Sequence, residues 1–579
     1  DLTCLHGTCR SYEQAWPYSV WLAILRQWLQ IREAEPPREV ALRLHRTAEA
    51  LWGTALDEPY ACLAHLLSLP AREGCPDDAA PFVLDGQRQR FFAAVYSWIE
   101  ELAHRSPLLL ILEDIHWSDA TSLDLVKHCL PLCDRLPILW VMVFRQDHQS
   151  PTWRLRQHVE AEYPHRLAML DFQPLPREQA AEMLDRLTGR GAIPDDVRAL
   201  VVDRAEGNPY YIEELVRSLI HDQVLVRDEQ TEKWRVVRQM DSLDLPDTLR
   251  SLLLARIDDL PPKERRVLQV ASVIGTTFWK NVLSDLLRDD QDLESSILGL
   301  ERAELIVDRG GVPGLGIEYA FRSALIRDAA YDSILSAQRA SYHRRVADHL
   351  AQLFGEESLA RYYGVIAYHY RLASEQRKEL FYALSAAEHA QGICADQESI
   401  NYYQRVLVLL ADLADRGLAR HDRPWLDWQL EALEGLGKSY ARTGLLEEAG
   451  SELEQAVTLG TEMHLERSEL IRLYSEWSQV VYQQGRYDRL VEIGKAGLLL
   501  IADGDAPSIE RIRMLQAVSL GYLGRGDIVR ARKCAARAAA LITAPSPDDG
   551  ALDAVLEQGP EAARRWFGAI EERAALSPV

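Results

Sequence analysis

The 579-residue chain has few cysteines, no long hydrophobic run and too few cations to balance its anions. Its eight cysteines (Cys4, Cys9, Cys62, Cys75, Cys129, Cys133, Cys394 and Cys534) form no CxxC pair, and no histidine cluster stands near them at zinc spacing. That removes the common structural zinc sites and suits a reducing cytoplasm. Cys129 and Cys133, one helical turn apart on an apolar face, read as buried thiols. No apolar stretch approaches the roughly 18 residues that a membrane-spanning helix needs. The longest, PLLLILEDI and LPILWVMVF, have the length of buried strands. There are 65 Lys and Arg against 88 Asp and Glu, a formal charge of −23. This disfavours nonspecific nucleic-acid or anionic-membrane binding through this segment, since both need a basic surface. Apolar residues make up 47 %, ample for several cores, and the length argues for three or four domains. The opening, DLTCLHGTCR, has neither Met nor a signal peptide and reads as the interior of a longer protein.

Residues 1–170 read as α/β. A strand-like opening precedes a helix over 18–26, and a long amphipathic helix is predicted over 86–104. The run LLLIL then ends in Glu113-Asp114, and after a helix near 121–130 the run PILWVMVF ends in Arg145. Apolar runs of this length between helices predict central strands of a parallel sheet covered on both faces. Residues 171–238 read as helical, with a turn at 206–209. Residues 239–350 carry predicted helices near 246–259, 263–273 and 291–303, then short strands at 305–308 and 317–321 joined by RGGVPGLG. Helices followed by such a hairpin suggest a winged-helix-like domain. Its third helix carries Asp292, Glu294 and Glu301 against Arg302 alone, which would repel DNA phosphates and suits a domain spacer. Residues 351–579 read as helical throughout. Gly444, Gly485 and Gly526 recur every 41 residues, each between two amphipathic helices. That is the mark of a helix-turn-helix solenoid of tetratricopeptide (TPR) type, with an earlier copy over 379–416.

One short motif misleads. ALEGLGKSY, Ala432 to Tyr440, ends like the phosphate loop G-x-x-x-x-G-K-[ST], but Ala stands where the first Gly is required. Leu430, Leu433, Leu436 and Tyr440 follow helical spacing. Inside a helix the backbone N–H groups are already bonded and cannot cradle a phosphate. Gly435 and Gly437 are expected to allow close helix packing instead.

The strand end at 113–114 is a second candidate, because ligands bind beyond the carboxyl ends of strands in open α/β sheets, while a strand ending in solvated acids is the plainer reading of the same two residues. One carboxylate there can hold Mg²⁺ and the next can polarise the water that attacks a γ-phosphate. The longer string LLLILEDIHWSDATSLDLV resembles the Walker B segment of STAND-class P-loop ATPases. The nearest likeness is to the ATPase–TPR region of bacterial adenylate/guanylate cyclases and LuxR-type regulators. GTCRSYEQAWPYSVWLAILR, LWVMVFRQD, EGNPYYIEELVRSL, LPDTLRSLLLARIDDLPPKERRVLQVASVIG and YAFRSALIRDAAYDSIL are similar to further segments of that family, in the same order. The resemblance spans nearly the whole chain and places the Walker A loop upstream of residue 1.

The resemblance implies a truncated α/β P-loop NTPase domain over 1–170 and a helical lid over 171–238. A winged-helix-like domain over 239–350 and TPR-like repeats over 351–579 would follow. It implies ATP or ADP with Mg²⁺ as cofactors, Glu113 as the magnesium acid and Asp114 as the catalytic acid. Arg145 would read the γ-phosphate at the end of a sensor strand. Gly207, Asn208 and Pro209 would form a lid turn, with Pro209 against the adenine; a helix-start turn is the plainer reading of the same residues. Ser323 stands where the family has His. The implied function is a signalling ATPase whose repeats bind an inducer peptide, protein or small molecule. It would control an output domain in cis, such as a nucleotide cyclase, with nucleotide-dependent self-assembly. A TPR scaffold that does not hydrolyse ATP and the core of a LuxR-type transcription regulator are the alternatives.

Overall fold

The computed structural model describes residues 2–9, 17–31, 35–53, 57–67, 69, 87–148, 150–189, 193–221, 223–227, 234–236, 248–288, 292–312, 316–353, 359–417, 423–501, 509–540, 563–564 and 567. Cys75, residues 10–16 of the opening segment, the hairpin tip at 313–315 and the predicted boundary at 238/239 lie outside them.

The first unit is a three-stranded parallel sheet, β1 (Thr3–Thr8), β2 (Leu108–Glu113) and β3 (Ile138–Met142), in the order β1-β2-β3. Between β1 and β2 come α1 (Ser19–Trp28), α2 (Pro37–Trp52), α3 (Asp57–Leu66) and α4 (Gln87–Arg105). Helix α5 (Ala120–Cys129) links β2 to β3, and α6 (Pro151–Glu162) follows. Side chains alternate across each strand. Leu5, Leu108, Leu110 and Leu112 are buried with Trp21, Ile24, Trp98, Ile99, Leu123 and Val126.

Among the described residues the opposite face is open, which corrects the expectation of a sheet covered on both sides. Leu139 is 62 % exposed and Val141 38 %, and β3 is an edge strand rather than a central one. The reason is topological. Parallel crossovers are right-handed, so strands laid down in one direction put every connection on the same face. Among the described residues the order β1-β2-β3 never reverses, so their crossover helices leave the second face without a helix. Period-2 patterning reports that a strand can be buried, not which layer buries it.

The next unit holds α7 (Arg177–Thr188), α8 (Asp195–Ala205), α9 (Pro209–His221) and a hairpin, β4 (Leu225–Arg227) with β5 (Trp234–Val236), which the helical reading missed. Then follow α10 (Leu249–Asp258), α11 (Pro262–Ile274), β6 (Thr277–Trp279), α12 (Lys280–Leu286), α13 (Leu293–Arg302), β7 (Ile306–Val312) and β8 (Gly316–Phe321). The strands form an antiparallel sheet in the order β6-β8-β7. Only β7, β8 and three of the helices were legible beforehand; β6 and α12 are too short to show a period. Helices α14 (Ala324–Asp332) and α15 (Ser336–Leu353) complete the core of this unit, and α15 runs across residue 350.

The remainder is a stack of helices: α16 (Tyr363–Leu372), α17 (Gln376–Gly392), α18 (Asp396–Asp415), α19 (Arg423–Thr443), α20 (Leu446–Glu462), α21 (Arg467–Gln483), α22 (Tyr487–Leu500), α23 (Ile509–Gly524) and α24 (Ile528–Ala539). Each packs on its sequence neighbour, as in a solenoid. Gly444, Gly485 and Gly526 make the turns with φ of 83°, 70° and 77°. The earlier copy turns at Cys394 with φ 59°, a position that gives no glycine signal in the sequence.

The GLGKS string lies inside α19, as its spacing predicts. A Cβ on Gly435 would sit 2.2 Å from the Tyr403 ring, and one on Gly437 2.7 Å from Leu453. Both glycines therefore serve helix packing. Lys438 ion-pairs with Glu434 at 2.5 Å and Glu476 at 2.9 Å, so this lysine is already neutralised within the stack.

Candidate functional site at the carboxyl end of the sheet

Glu113 is the last residue of β2 and points to the open face, where its carboxylate lies 3.2 Å from His6 Nε2 of β1. Asp114 follows in the left-handed region (φ 53°, ψ 33°) and starts the tight turn Ile115–Trp117. Asp is one of the few side chains that tolerate this conformation, because it is short and polar. The turn is fixed from below. Ile115 N–H donates to Val143 O at 3.2 Å, and Thr152 Oγ1 of α6 donates to Ile115 O at 2.9 Å. Both carboxylates are about half exposed, at 49 % and 55 %.

His116 is buried under this turn, its ring 5.0 Å from Trp117 and its Nδ1 4.0 Å from Asp114. Burial holds its pKa below the ordinary imidazole range; Asp114 opposes that shift and Arg145 adds to it. Arg145, exposed just beyond β3, thus acts on the same ring as Asp114. The fold brings Glu113, Asp114 and Arg145 to one sheet edge. His6 joins them, a residue that carried no sequence signal because only strand register places it there. Among the described residues no group of three or more His, Cys, Asp or Glu could enclose a metal. A Mg²⁺ ion there would take most of its oxygens from phosphate and water, as this ion commonly does.

Gly207, Asn208 and Pro209 lie on a different part of the chain. Asn208 Oδ1 accepts from Tyr210 N at 3.0 Å and Tyr211 N at 3.3 Å and so caps α9, with Pro209 at its first position. Gly207 has φ 75°, and its carbonyl accepts from Leu175 N at 2.7 Å. Glu214 of α9, 2 % exposed, accepts from Arg256 Nη1 of α10 at 2.5 Å, which ties this helix to the following unit. Ser323 caps α14, accepting from Leu325 N at 3.1 Å, and it also bears on Tyr210 of α9.

Asp119, in the same string as Glu113 and Asp114, does more than cap α5. It accepts from Ser122 N at 2.7 Å, Ser122 Oγ at 2.6 Å and Tyr18 N at 3.2 Å, and it is 3 % exposed. Next to it Glu398 of α18 accepts from Thr121 N at 3.2 Å and from Thr121 Oγ1. Tyr18 Oη donates to Cys394 O at 3.1 Å across the same interface. The segment that follows the strand-end carboxylates is therefore bonded directly to the first helix pair of the stack, 277 residues away in sequence. The sequence gave no sign of Glu398, because its partner is set by tertiary packing alone.

Burial and the Glu398 charge push the Asp119 carboxyl up to about 7, and burial raises Glu398 as well. A carboxyl raised in the folded state favours folding below its unfolded pKa and loses that contribution as pH rises through the folded value. Glu398→Gln keeps a hydrogen-bonding side chain on Thr121 and removes one buried charge. It is expected to raise the melting temperature at pH 8 by roughly 2–6 °C, from about 1–2 kcal/mol of relieved repulsion. The advantage should shrink at pH 5. Scanning calorimetry at the two pH values checks this, and an equal shift at both would refute it.

Family comparison completes the picture of this unit. Residues 2–141 match the model of the AAA ATPase domain. This part of the chain is similar to AAA ATPase domains. Residues 176–233, which hold α7–α9, match a second family, a domain of unknown function. A curated relative, the uncharacterized protein R02095 of Rhizobium meliloti (strain 1021), is 25 % identical over 405 residues. That match covers 67 % of this chain and 36 % of the relative, so the chain spans about a third of the protein it matches. Among solved structures, a signal transduction ATPase with numerous domains (STAND) protein with a tetratricopeptide repeat sensor, from Pyrococcus horikoshii, aligns at TM-score 0.35 and 11 % identity. The alignment covers 99 % of this chain and 79 % of that one. BtubC from P. vanneervenii aligns at TM-score 0.27 and 15 % identity, over 38 % of this chain and 89 % of its own. No helix among the described residues is long and apolar enough to cross a membrane.

Proposed function

We propose that this chain is the core of an ATP-dependent signal-transduction switch of the STAND type. Its AAA-type domain binds ATP and Mg²⁺, its repeats sense a peptide, protein or small molecule, and its output domain lies outside this chain. The observation that carries the reading is the buried bond from Glu398 of the first repeat pair to Thr121, seven residues after Asp114. A change at the nucleotide edge of the sheet has a short, rigid route to the repeats, and a change in the repeats has the same route back.

The open sheet supports the nucleotide half of the proposal. A parallel strand added beyond the free edge of β3 and connected onward to β1 would run against the β1-β2-β3 direction. Its right-handed crossover would then lie over the uncovered face of Leu139 and Val141. Its carboxyl end would meet Glu113, Asp114 and Arg145 at a topological switch point, the ordinary place for a nucleotide in such sheets. A glycine-rich phosphate loop belongs on that strand. In this reading Glu113 holds Mg²⁺ through water, Asp114 orients the attacking water and Arg145 senses the γ-phosphate. The bound metal supplies charge stabilisation for phosphoryl transfer. The turn at Gly207–Pro209 positions the lid helix, and the unit built on α10–α13 and the β6–β8 sheet is a winged-helix-like spacer. A cytoplasmic protein with a nucleotide cyclase or a DNA-binding output fits the same scheme.

Calorimetric titration of Mg-ATP and Mg-ADP into the full-length protein tests the proposal. Binding weakened about tenfold or more by Glu113→Ala is expected, since a lost metal contact removes on the order of 1.4 kcal/mol or more. Nucleotide should also change hydrogen exchange in α18. Absence of nucleotide binding would sink the switch and leave a repeat scaffold.

A further inference from the structure

The repeat stack holds a cavity of about 630 Å³ between α17, α19 and α21. This lies within the roughly 300–1,000 Å³ range of small-ligand sites. Its charges are sorted. Every cation on its wall has a carboxylate already: Arg423 has Asp427 at 3.0 Å, Lys438 and Arg472 share Glu434, and Arg442 has Asp396 at 2.5 Å. Glu388 of α17 and Glu431 of α19 face the same cavity and have no cation beside them among the described residues. Glu431 instead has the like charge of Glu388 beside it, which opposes its ionisation. Burial and the nearby acids Glu388, Glu434 and Asp427 push Glu431 up to about 8.

A second observation points into the same space. Tyr403 of α18 lines the cavity and is 2 % exposed. Its ring is seated against Gly435, where no side chain larger than hydrogen fits. Among the described residues its hydroxyl has no hydrogen-bond partner, and only Coulomb interactions and burial act on it. A hydroxyl on the cavity wall without a protein partner is free to accept a bond from whatever occupies the cavity. A ligand-sized cleft, two carboxylates on its wall without a cation and an unused acceptor all ask for the same group, a donor-rich cation.

We propose that this cavity binds an ammonium or guanidinium group, from a small amine or from a basic peptide side chain, between Glu388, Glu431 and the Tyr403 hydroxyl. The cation donates N–H bonds to both carboxylates and to Tyr403 Oη. Charge-assisted bonds of this kind are the strong class of hydrogen bond, and they suit a site with two carboxylates. This names the ligand chemistry of the repeats and rests on reading them as the sensing part. Binding itself does not depend on nucleotide.

The test is calorimetry on this chain with two probes, agmatine and an end-capped Ala-Arg-Ala peptide. At least one should bind. Glu388→Gln and Glu431→Gln should each weaken it roughly tenfold or more, and Tyr403→Phe several-fold, while Glu447→Gln on the outer surface should leave it unchanged. Glu431→Gln is isosteric and removes one of the crowded acids, so it should fold, which a thermal melt verifies. Agmatine alone binding assigns a small amine, the peptide alone a peptide, and both together the shared group. No binding of either probe, or equal affinity in all variants, would overturn the proposal. Equal affinity would mean diffuse attraction to an acidic chain. Either failure would leave the Mg-ATP titration to judge the switch separately.

Discussion

Asp114→Asn is expected to lower ATP turnover by the full-length protein about 10²–10³-fold while Mg-ATP binding changes little, as is typical when a group that positions or accepts a proton is lost. The choice of Asn follows from the backbone. Asp114 sits at φ 53°, where Asn is as comfortable as Asp and Ala is not, so the substitution changes charge and leaves the turn intact. The turn is further held by Ile115 N–H on Val143 O and by Thr152 on Ile115 O, neither of which involves the Asp114 side chain. Glu113→Gln should behave differently, weakening the Mg²⁺-dependent part of binding as well as turnover. Steady-state hydrolysis paired with equilibrium binding separates the two roles. Equal loss of binding and turnover in Asp114→Asn would mean that Asp114 serves the ground state and is not the catalytic acid.

Gly207→Ala is expected to destabilise the helical unit α7–α9 by about 3 kcal/mol or more, through backbone strain added to a steric clash. Gly207 has φ 75°, and a Cβ there would lie 2.3 Å from Leu175 O and 2.9 Å from Leu175 N. Those are backbone atoms, so no rotamer change relieves the contact. The chain must move, and the bond from Leu175 N to Gly207 O is lost with it. Asn208→Ala removes only the cap on Tyr210 and Tyr211 and should cost about 1 kcal/mol. Limited proteolysis within 171–221, compared between the two variants, reads the difference. If Gly207→Ala left that segment as protected as wild type, the close approach would not govern the turn.

These two sites differ in how they could be read from sequence. The strand end was legible because a short apolar run followed by two acids is a local pattern. Register then carried Arg145 to the same edge, since β3 pairs in parallel with β2. The glycines at 444, 485 and 526 were legible for a similar reason. A positive φ between two amphipathic helices is a local demand that glycine meets, and an even spacing exposes the repeat. The false phosphate loop was also settled locally, because helical spacing around Lys438 rules out a strand-to-helix turn.

What sequence alone determined about this protein is therefore everything set within one helix, strand or turn: the apolar runs, the repeat, the strand-end carboxylates and the helix-start turn at Gly207–Pro209. Only the tertiary structure decided what those elements meet. Among the described residues it left one face of the sheet bare, because three strands laid down in one direction send all their crossovers to the same side. It brought His6 against Glu113 and bonded Thr121 to Glu398 across 277 residues. It also gathered Glu388, Glu431 and Tyr403 on the wall of one cleft. None of these pairings leaves a trace in spacing or composition, since each partner, read by itself, is an ordinary polar residue on its own element.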